Sequence, residues 1–263
     1  MKVWALANQK GGVGKTTSVV SLGGLLASWG FRTLLVDIDP HGSLSSYFGH
    51  DPDTLERGTY SLFEAAMAQR ELEPMTLLQP TATAGLDLLP ASVALATLDR
   101  QASRQEGMGL VLRRQLERLS DRYDHVIVDC PPMLGVLLIN ALAACEQLLI
   151  PVQTEFLALK GLERMLNTLQ MVLKSRQQKL PYLIVPTMFD RRTRASIDTL
   201  RHLRQEHAAH LWAGVVPIDT RFRDASRAGV LPSLYDPRSR GVQAYQALLE
   251  QLQGQVPAMR AVG

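Results

Sequence analysis

The chain has 263 residues, of which 46% are hydrophobic and 20% charged, with a formal net charge of +3. This balance is typical of a globular protein with a large core and excludes a collagen-like or disordered chain. No run approaches the ~18 apolar residues of a membrane span, and no secretion signal opens the sequence, so we expect a cytoplasmic protein. Two cysteines, Cys130 and Cys145, form no CxxC pair, and we expect neither a disulfide framework nor zinc.

Short apolar runs typical of buried strands recur along the chain, at residues 3–7, 33–37, 86–89, 125–129, 147–152, 182–186 and 212–216. Helical patterns separate most of them, at residues 16–29, 108–119, 157–175, 196–211 and 241–252. Continuous apolar strands that alternate with helices indicate an α/β fold with a mostly parallel, twisted sheet covered by helices on both faces. No long linker or repeat divides the chain, so we predict one domain over residues 1–263.

The positive charge is concentrated in the last third of the chain. From residue 180 onward there are 11 Lys+Arg, all of them arginine, and 7 Asp+Glu, which leaves 17 basic and 18 acidic residues before it. An uneven basic surface can attract phosphate backbones or acidic membranes. The alternative interpretation is a solvated, arginine-rich surface without a partner.

A glycine-rich segment lies between the first predicted strand and the first predicted helix. Residues 10–17 read Lys-Gly-Gly-Val-Gly-Lys-Thr-Thr. This strand-loop-helix context is the one that a phosphate-binding loop requires, because glycines let backbone N–H groups wrap around phosphate oxygens at a helix N-terminus. Lys15 is placed to reach the β- and γ-phosphates of a nucleotide, and the Thr16 hydroxyl to ligand Mg²⁺. The loop is a variant, because Gln9 replaces the usual first glycine and an extra lysine, Lys10, begins it.

Acidic residues follow two of the predicted strands. Asp129 closes the apolar run 125–129 in a Walker B arrangement, which predicts a carboxylate near Mg²⁺ at the carboxyl edge of the sheet. Asp37 and Asp39 follow the second strand. An aspartate at such a position is often only a turn or capping residue. Beside a phosphate loop we favour a functional role strongly for Asp39 and less for Asp37.

Together, residues 10–17, 36–40 (Val-Asp-Ile-Asp-Pro) and 128–132 (Val-Asp-Cys-Pro-Pro) resemble the ParA/MinD (SIMIBI-class) ATPases. Within that family the chain looks like the short, chromosomal ParA/Soj type. The resemblance runs nearly end to end and includes residues 140–142, 150–155, 186–190 and 234–241. It implies a P-loop NTPase fold with a deviant Walker A loop, and ATP and Mg²⁺ as cofactors.

The resemblance also implies roles for individual residues. Lys10 matches the signature lysine, which crosses an ATP-sandwich homodimer to the partner's phosphates, and Asp39 matches the aspartate that orients the attacking water. With Lys15 these are the expected catalytic residues. Thr16, Asp39 and Asp129 are the expected Mg²⁺ site, the aspartates through water. The remaining nucleotide contacts are expected from the phosphate loop and from positions that hold adenine, namely Gly11, Gly12, Val13, Gly14, Thr17, Met188, Pro217 and Ile218.

Relatives of the ParA/Soj type bind DNA without sequence preference as ATP dimers. Arg192 and Arg221 match arginines implicated there, and Arg223 is a further candidate on the same basic surface. A solvated arginine is the alternative at each position. Ile218 stands where an arginine is common, so we expect weaker DNA binding than in a typical relative.

The other departures concern a switch region and the chain's ends. His41 replaces a glutamine that is common in the family after Asp-Pro. Because the sequence shows no N-terminal helix-turn-helix extension, we do not expect autorepression.

The resemblance implies a partition ATPase that cycles between an ATP dimer on the nucleoid and a free form, with hydrolysis stimulated by a ParB-like or other partner. Its cargo could be a chromosome, a plasmid or a protein cluster such as a chemotaxis array.

A MinD-like membrane ATPase is the alternative, but residues 251–263 have one cation, Arg260, and a proline, Pro257, so we expect no membrane-targeting helix. An iron protein with a cluster between subunits would need two surface cysteines that face the dimer axis, whereas we expect Cys130 and Cys145 to be small core residues.

Overall fold

A seven-stranded sheet lies at the centre of the protein. The structure, a computed structural model, describes residues 1–102, 107–175 and 180–254. The strands are β1 Lys2–Leu6, β2 Thr33–Asp37, β3 Gln79–Pro80, β4 Leu86–Leu89, β5 His125–Asp129, β6 Gln147–Gln153 and β7 Tyr182–Thr187. Their order is β3-β4-β2-β5-β1-β6-β7, and every neighbouring pair is parallel except β3 with β4. The predicted mostly parallel sheet is confirmed.

Eleven α-helices lie in the described residues. They are α1 Lys15–Ser28, α2 Ser43–Tyr47, α3 Thr59–Met67, α4 Leu95–Ala102, α5 Val111–Glu117, α6 Val136–Ala144, α7 Phe156–Ser175, α8 Arg194–Glu206, α9 Arg221–Ala228, α10 Pro232–Tyr235 and α11 Arg240–Gln253. Three 3-10 turns, Pro74–Leu77, Met108–Leu110 and Ala208–His210, accompany them. The helices predicted at 108–119 and 196–211 are therefore shorter than expected, since each includes one of these tighter turns.

Alternate residues of the strands feed two cores on opposite faces of the sheet. In β1, Val3 and Ala5 pack with α5, α6 and α7, whereas Trp4 and Leu6 pack with α1 and α11. This alternation follows from the two-residue period of a strand. The predicted helical cover on both faces is confirmed. Both cysteines lie buried in the first of these cores, so the surface cysteines that an iron cluster would need are absent from the described residues.

The predicted strand at residues 212–216 is wrong. This segment runs beside β7, where the Trp212 and Val216 N–H groups donate to the Ile184 and Pro186 carbonyls at 2.9 and 2.8 Å. Between them the chain turns at Gly214, against which the Trp212 indole folds so closely that a Cβ there would lie 2.5 Å from the ring. This turn interrupts the ladder and leaves only isolated bridges at its ends.

The C-terminal helix α11 ends at Gly254, which adopts a left-handed conformation with φ 74° that suits glycine. Residues 255–263, which carry most of the segment considered for membrane targeting, lie outside the described residues. Among the helices that are described, none combines the length and apolar content that a bilayer crossing requires.

Strand register brings the predicted functional segments to one edge. β1 lies between β5 and β6, with Leu6 paired to Asp129, and β2 pairs Asp37 with Asp129. Because these strands are parallel, their carboxyl ends meet at the same edge of the sheet. The glycine-rich loop after β1 therefore lies beside the acidic ends of β2 and β5.

Candidate active site

A cavity of about 530 Å³, here called the phosphate cavity, opens at this edge of the sheet. Its lining combines the glycine-rich loop, the start of α1 and the loop after β2, and includes Gly11, Gly12, Gly14, Lys15, Thr16, Thr17, Asp39, His41 and Ser43. Gly12 and Gly14 have φ angles of 74° and 90°, a region in which side chains other than glycine are strained. The N-terminus of α1 adds partial positive charge. The cavity therefore suits a polyphosphate.

Val13 is the one predicted loop contact whose side chain points away from this cavity. It is fully buried, and its carbonyl accepts a 2.8 Å hydrogen bond from the Thr187 hydroxyl at the end of β7. Val13 therefore ties the loop to the sheet.

Thr16 and Asp129 meet beneath the loop. The Thr16 hydroxyl donates to Oδ2 of Asp129 at 2.6 Å. The other oxygen, Oδ1, is buried and has no hydrogen-bond partner among the described residues. Burial, and then the nearby Asp37 carboxyl, raise the pKa of Asp129 well above its usual value. An unpaired buried carboxylate oxygen is costly, and a hydroxyl with a carboxylate is a donor set that Mg²⁺ accepts beside phosphate oxygens. These residues therefore fit a magnesium ion.

Asp37 does not line the phosphate cavity. Its carboxylate is fully buried and accepts hydrogen bonds from the Asp39 N–H at 3.1 Å and from the Ser45 N–H and hydroxyl at 2.9 and 2.8 Å. Burial raises the pKa of Asp37 to about 7. These contacts hold the loop between β2 and α2, so Asp37 supports Asp39 from below.

Asp39 reaches the cavity itself, with 12% of its side chain exposed. Its Oδ1 accepts hydrogen bonds from the His41 N–H at 3.0 Å and from the His41 ring Nδ1 at 2.9 Å. The two residues that sequence reasoning treated separately thus form one unit at the mouth of the cavity.

Lys10 is not among the residues that line the phosphate cavity. Its ammonium group forms an ion pair with Glu155 of the same chain, which follows β6. Nothing in the local sequence signals this contact, because the two residues are 145 positions apart.

The start of the loop is fixed against α7. The Lys10 N–H donates to Oδ1 of Asn8 at 3.0 Å, and Asn8 donates in turn to the Pro151 carbonyl at 2.8 Å. On α7, a Cβ at Gly161 would lie 2.9 Å from that of Lys10, so this position needs glycine. The backbone of Lys10 is therefore held in place, and only its flexible side chain can change partner.

A second cavity of about 350 Å³ adjoins the loop and shares Gly14, Thr17, Met188 and Phe222 with the first. The three positions predicted to hold adenine, Met188, Pro217 and Ile218, all line it. Its other walls include Phe222, Arg223 and Tyr245. Its continuity with the phosphate cavity is what a nucleoside attached to a bound polyphosphate would need.

An arginine-rich cavity of about 630 Å³ lies beyond the adenine positions. The arginines that line it, here called the arginine surface, are Arg191, Arg192, Arg221, Arg238 and Arg240. The structure thus brings Arg192 and Arg221 together and places Arg223 on the nucleotide side instead.

The arginine surface is partly neutralised by its own chain. Asp190 accepts from Arg192 Nε and Nη2 at 2.9 and 2.8 Å, which lowers the pKa of Asp190 to about 2. Arg221 lies 3.4 Å from Asp236 and 3.8 Å from Asp224. These aspartates reduce the positive charge that the surface presents.

Comparisons with known proteins agree with this geometry. A family model described as an AAA domain matches residues 1–182. The chain is 37% identical over 252 residues to the sporulation initiation inhibitor protein Soj of Bacillus subtilis, covering 95% of this chain and 98% of Soj. It is 35% identical over 255 residues to the chromosome partitioning protein ParA of Caulobacter vibrioides, covering 96% and 94%.

Solved structures give the same result. A Mycobacterium smegmatis protein described as cobyrinic acid a,c-diamide synthase, with a bound ATP analogue and magnesium, matches with a TM-score of 0.82 and 34% identity over 96% of this chain and 94% of that one. A plasmid partition protein from Borrelia burgdorferi bound to AMPPNP has a TM-score of 0.80 at 22% identity, over 97% and 99% of the two chains, and shows the shared fold. The P-loop NTPase fold is confirmed, and the chain belongs to the AAA domain family as a ParA/Soj-type member of the ParA/MinD ATPases.

Proposed function

We propose that this ParA/Soj-like partition ATPase binds ATP with Mg²⁺ and hydrolyses it to ADP and phosphate as a homodimer on non-specific DNA. The observation that carries the proposal is the Thr16–Asp129 contact beneath the loop, with one buried carboxylate oxygen left without a partner. A hydroxyl and a carboxylate at that point would hold Mg²⁺ together with the phosphates of a bound ATP.

The chain's own residues account for binding and orientation. Backbone N–H groups of Gly11 to Thr17 surround the phosphates, and Lys15 reaches the β- and γ-phosphates. Thr16 and Asp129 would hold Mg²⁺, the aspartate through water, and the ion would supply neutralisation of charge on the phosphate oxygens. Met188, Pro217 and Ile218 enclose adenine in the second cavity.

Hydrolysis requires a positioned water. Asp39 accepts a hydrogen bond from that water and aligns it with the γ-phosphorus, so that the water oxygen bonds to phosphorus as the bond to ADP breaks. Lys10 leaves Glu155 and reaches the phosphates of the partner subunit, where it stabilises the developing charge. The geometry supports this exchange because the Lys10 backbone is fixed while its ion pair with Glu155 is partly exposed. Turnover is slow until a partner protein stimulates it.

Non-specific DNA binding would use Arg192 and Arg221 of the arginine surface, while Arg223, the third predicted DNA contact, lies on the nucleotide side. Phosphate neutralisation by arginines carries no sequence information and weakens steeply with salt. The cycle would place the ATP dimer on the nucleoid in the cytoplasm and position a chromosome, plasmid or protein cluster with a ParB-like or other partner. We propose no membrane association.

Thiol chemistry is not part of the proposal. Cys130 and Cys145 are both buried, and burial raises the pKa of Cys130 well above its usual value. Neither thiol is therefore placed to act as a nucleophile.

The test compares wild type with Asp39→Ala and Arg221→Glu. Asp39→Ala should bind ATP and dimerise but lose roughly 10²-fold in turnover, because only the orientation of the water is removed. Arg221→Glu should bind ATP normally and lose retention on DNA at low salt. Wild-type turnover in the first variant, or unchanged DNA retention in the second, contradicts the corresponding part of the proposal.

Sedimentation with acidic liposomes and ATP tests the membrane alternative. Pelleting of the wild-type protein with the liposomes would favour a membrane ATPase.

A further inference from the structure

His41 lies at the mouth of the phosphate cavity, two residues after Asp39. Its ring is 78% exposed and yet lines the same cavity as Lys15 and Thr16. An exposed side chain normally samples several rotamers, so a defined contact at this position calls for an explanation.

The contact is to one oxygen of Asp39. Oδ1 accepts both the His41 N–H at 3.0 Å and the ring Nδ1 at 2.9 Å. Among the described residues, no group donates a hydrogen bond to Oδ2 of Asp39. The carboxylate is thus held at one oxygen, and the other remains for a ligand.

The loop beneath supports the same orientation. The Asp39 N–H donates to Oδ1 of Asp37 at 3.1 Å, and Asp37 is anchored by Ser45 at the start of α2. The Asp39 backbone is therefore fixed from below, while rotation of its carboxylate is limited from above by His41. Ser43, the first residue of α2, also lines the cavity but forms no contact with Asp39 among the described hydrogen bonds.

We propose that His41 is a positioning residue for hydrolysis: its ring holds Oδ1 of Asp39 so that Oδ2 accepts the hydrogen bond of the attacking water. The inference rests on the proposed function, since it assigns a role to a neighbour of the aspartate that orients this water. The ring touches Asp39 and not the reacting atoms. Because the His41 N–H also holds Oδ1 and survives any substitution except proline, removal of the ring weakens the restraint without abolishing it.

The experiment uses His41→Ala, His41→Asn and, as the matched control, His50→Ala. His50 is the same residue type, lies three residues beyond the end of α2 and does not line the cavity. For each variant, kcat and KM for ATP are measured with Mg²⁺, together with the affinity for a fluorescent ATP analogue and the thermal unfolding midpoint.

In His41→Ala we expect kcat to fall roughly three- to tenfold, since a charge-assisted but solvent-exposed hydrogen bond is lost, with ATP affinity within about twofold of wild type. His41→Asn should recover most of kcat, because its amide N–H lies close to the position of Nδ1. His50→Ala should match wild type.

Equal kcat in His41→Ala and His50→Ala overturns the inference, as does a parallel loss of ATP affinity, which would make His41 a binding contact. Failure of Asn to recover activity above Ala also overturns it. If wild type hydrolyses ATP and only the histidine variants behave unexpectedly, the proposed function stands and the role of His41 falls. If wild type hydrolyses no ATP, both fall.

Discussion

The phosphate cavity and the arginine surface differ in how their charges are held. Beneath the cavity, Asp37 and Asp129 are buried, their hydrogen bonds measure 2.6 to 3.1 Å, and burial raises the pKa of both. On the arginine surface, Arg192 is 80% exposed and is paired with an aspartate of its own chain.

Solvent explains why the two regions should respond differently to mutation. A charge in a buried site interacts through a low dielectric, so each partner matters individually. Exposed charges are screened by water and salt, and their pairs contribute little singly. We therefore expect single residues to decide nucleotide chemistry, whereas DNA affinity should follow the summed charge of the arginine surface and respond most to a charge reversal such as Arg221→Glu.

The largest expected effect is that of Lys15→Ala in the cavity. Lys15 is 8% exposed, and its loss removes charge-assisted hydrogen bonds to two phosphates. Affinity for ATP, measured by calorimetry with Mg²⁺, should fall by roughly 10²-fold or more. Lys160→Ala, which removes an exposed lysine of α7, should leave affinity unchanged. A loss below about threefold in Lys15→Ala would contradict the buried character that we assign to the site.

A smaller effect, on stability, is expected from Asp37→Ala. The substitution leaves the Ser45 N–H and the Asp39 N–H without their acceptor, and should lower the free energy of unfolding by about 2 kcal/mol. Urea denaturation measures the change. Asp53→Ala, an exposed aspartate of the following loop, should stay within about 0.5 kcal/mol of wild type. Equal free energies of unfolding for the two variants would show that the buried hydrogen bonds to Asp37 contribute no more to stability than an exposed aspartate does.

Glu155→Gln probes a contact of intermediate exposure, because the side chains of Lys10 and Glu155 are 26% and 40% exposed. If Lys10 must leave Glu155 to reach a partner subunit, the variant should dimerise with ATP at roughly two- to fivefold lower protein concentration. Analytical ultracentrifugation measures the shift. Glu163→Gln breaks the Lys160–Glu163 pair on α7 and is the matched control. Weaker dimerisation of Glu155→Gln would mean that Glu155 supports the dimer rather than competing with it.

The smallest effect should come from Asp190→Asn on the arginine surface. It removes one negative charge and frees Arg192, so DNA affinity at low salt should rise roughly two- to fivefold and the gain should vanish at high salt. Fluorescence anisotropy with DNA duplexes of unrelated sequence measures this. Asp53→Asn, which lies outside the arginine surface, should change nothing. A gain that persists at high salt would indicate a structural effect and not an electrostatic one.

Much of the fold and of the candidate site could be predicted because the signals are local. The run from Lys10 to Thr17 stands between a strand and a helix, and two of its three glycines, Gly12 and Gly14, take positive φ angles. Asp39 and Asp129 follow apolar strands, and parallel strands bring such ends to one edge. The failed prediction at 212–216 has a tertiary cause, since the contact of Trp212 with Gly214 breaks an apolar run that otherwise resembles a strand.

By itself, then, the sequence determined most strands of the parallel sheet, the phosphate loop and the acidic strand ends, because spacing along the chain decides backbone geometry over a few residues. Only the tertiary structure decided which side chains meet across the chain. It joins Thr16 to Asp129, pairs Lys10 with Glu155 and separates Arg223 from Arg192. The physical reason is that hydrogen bonds and ion pairs act over about 3 Å in space, whatever the distance between their residues in sequence.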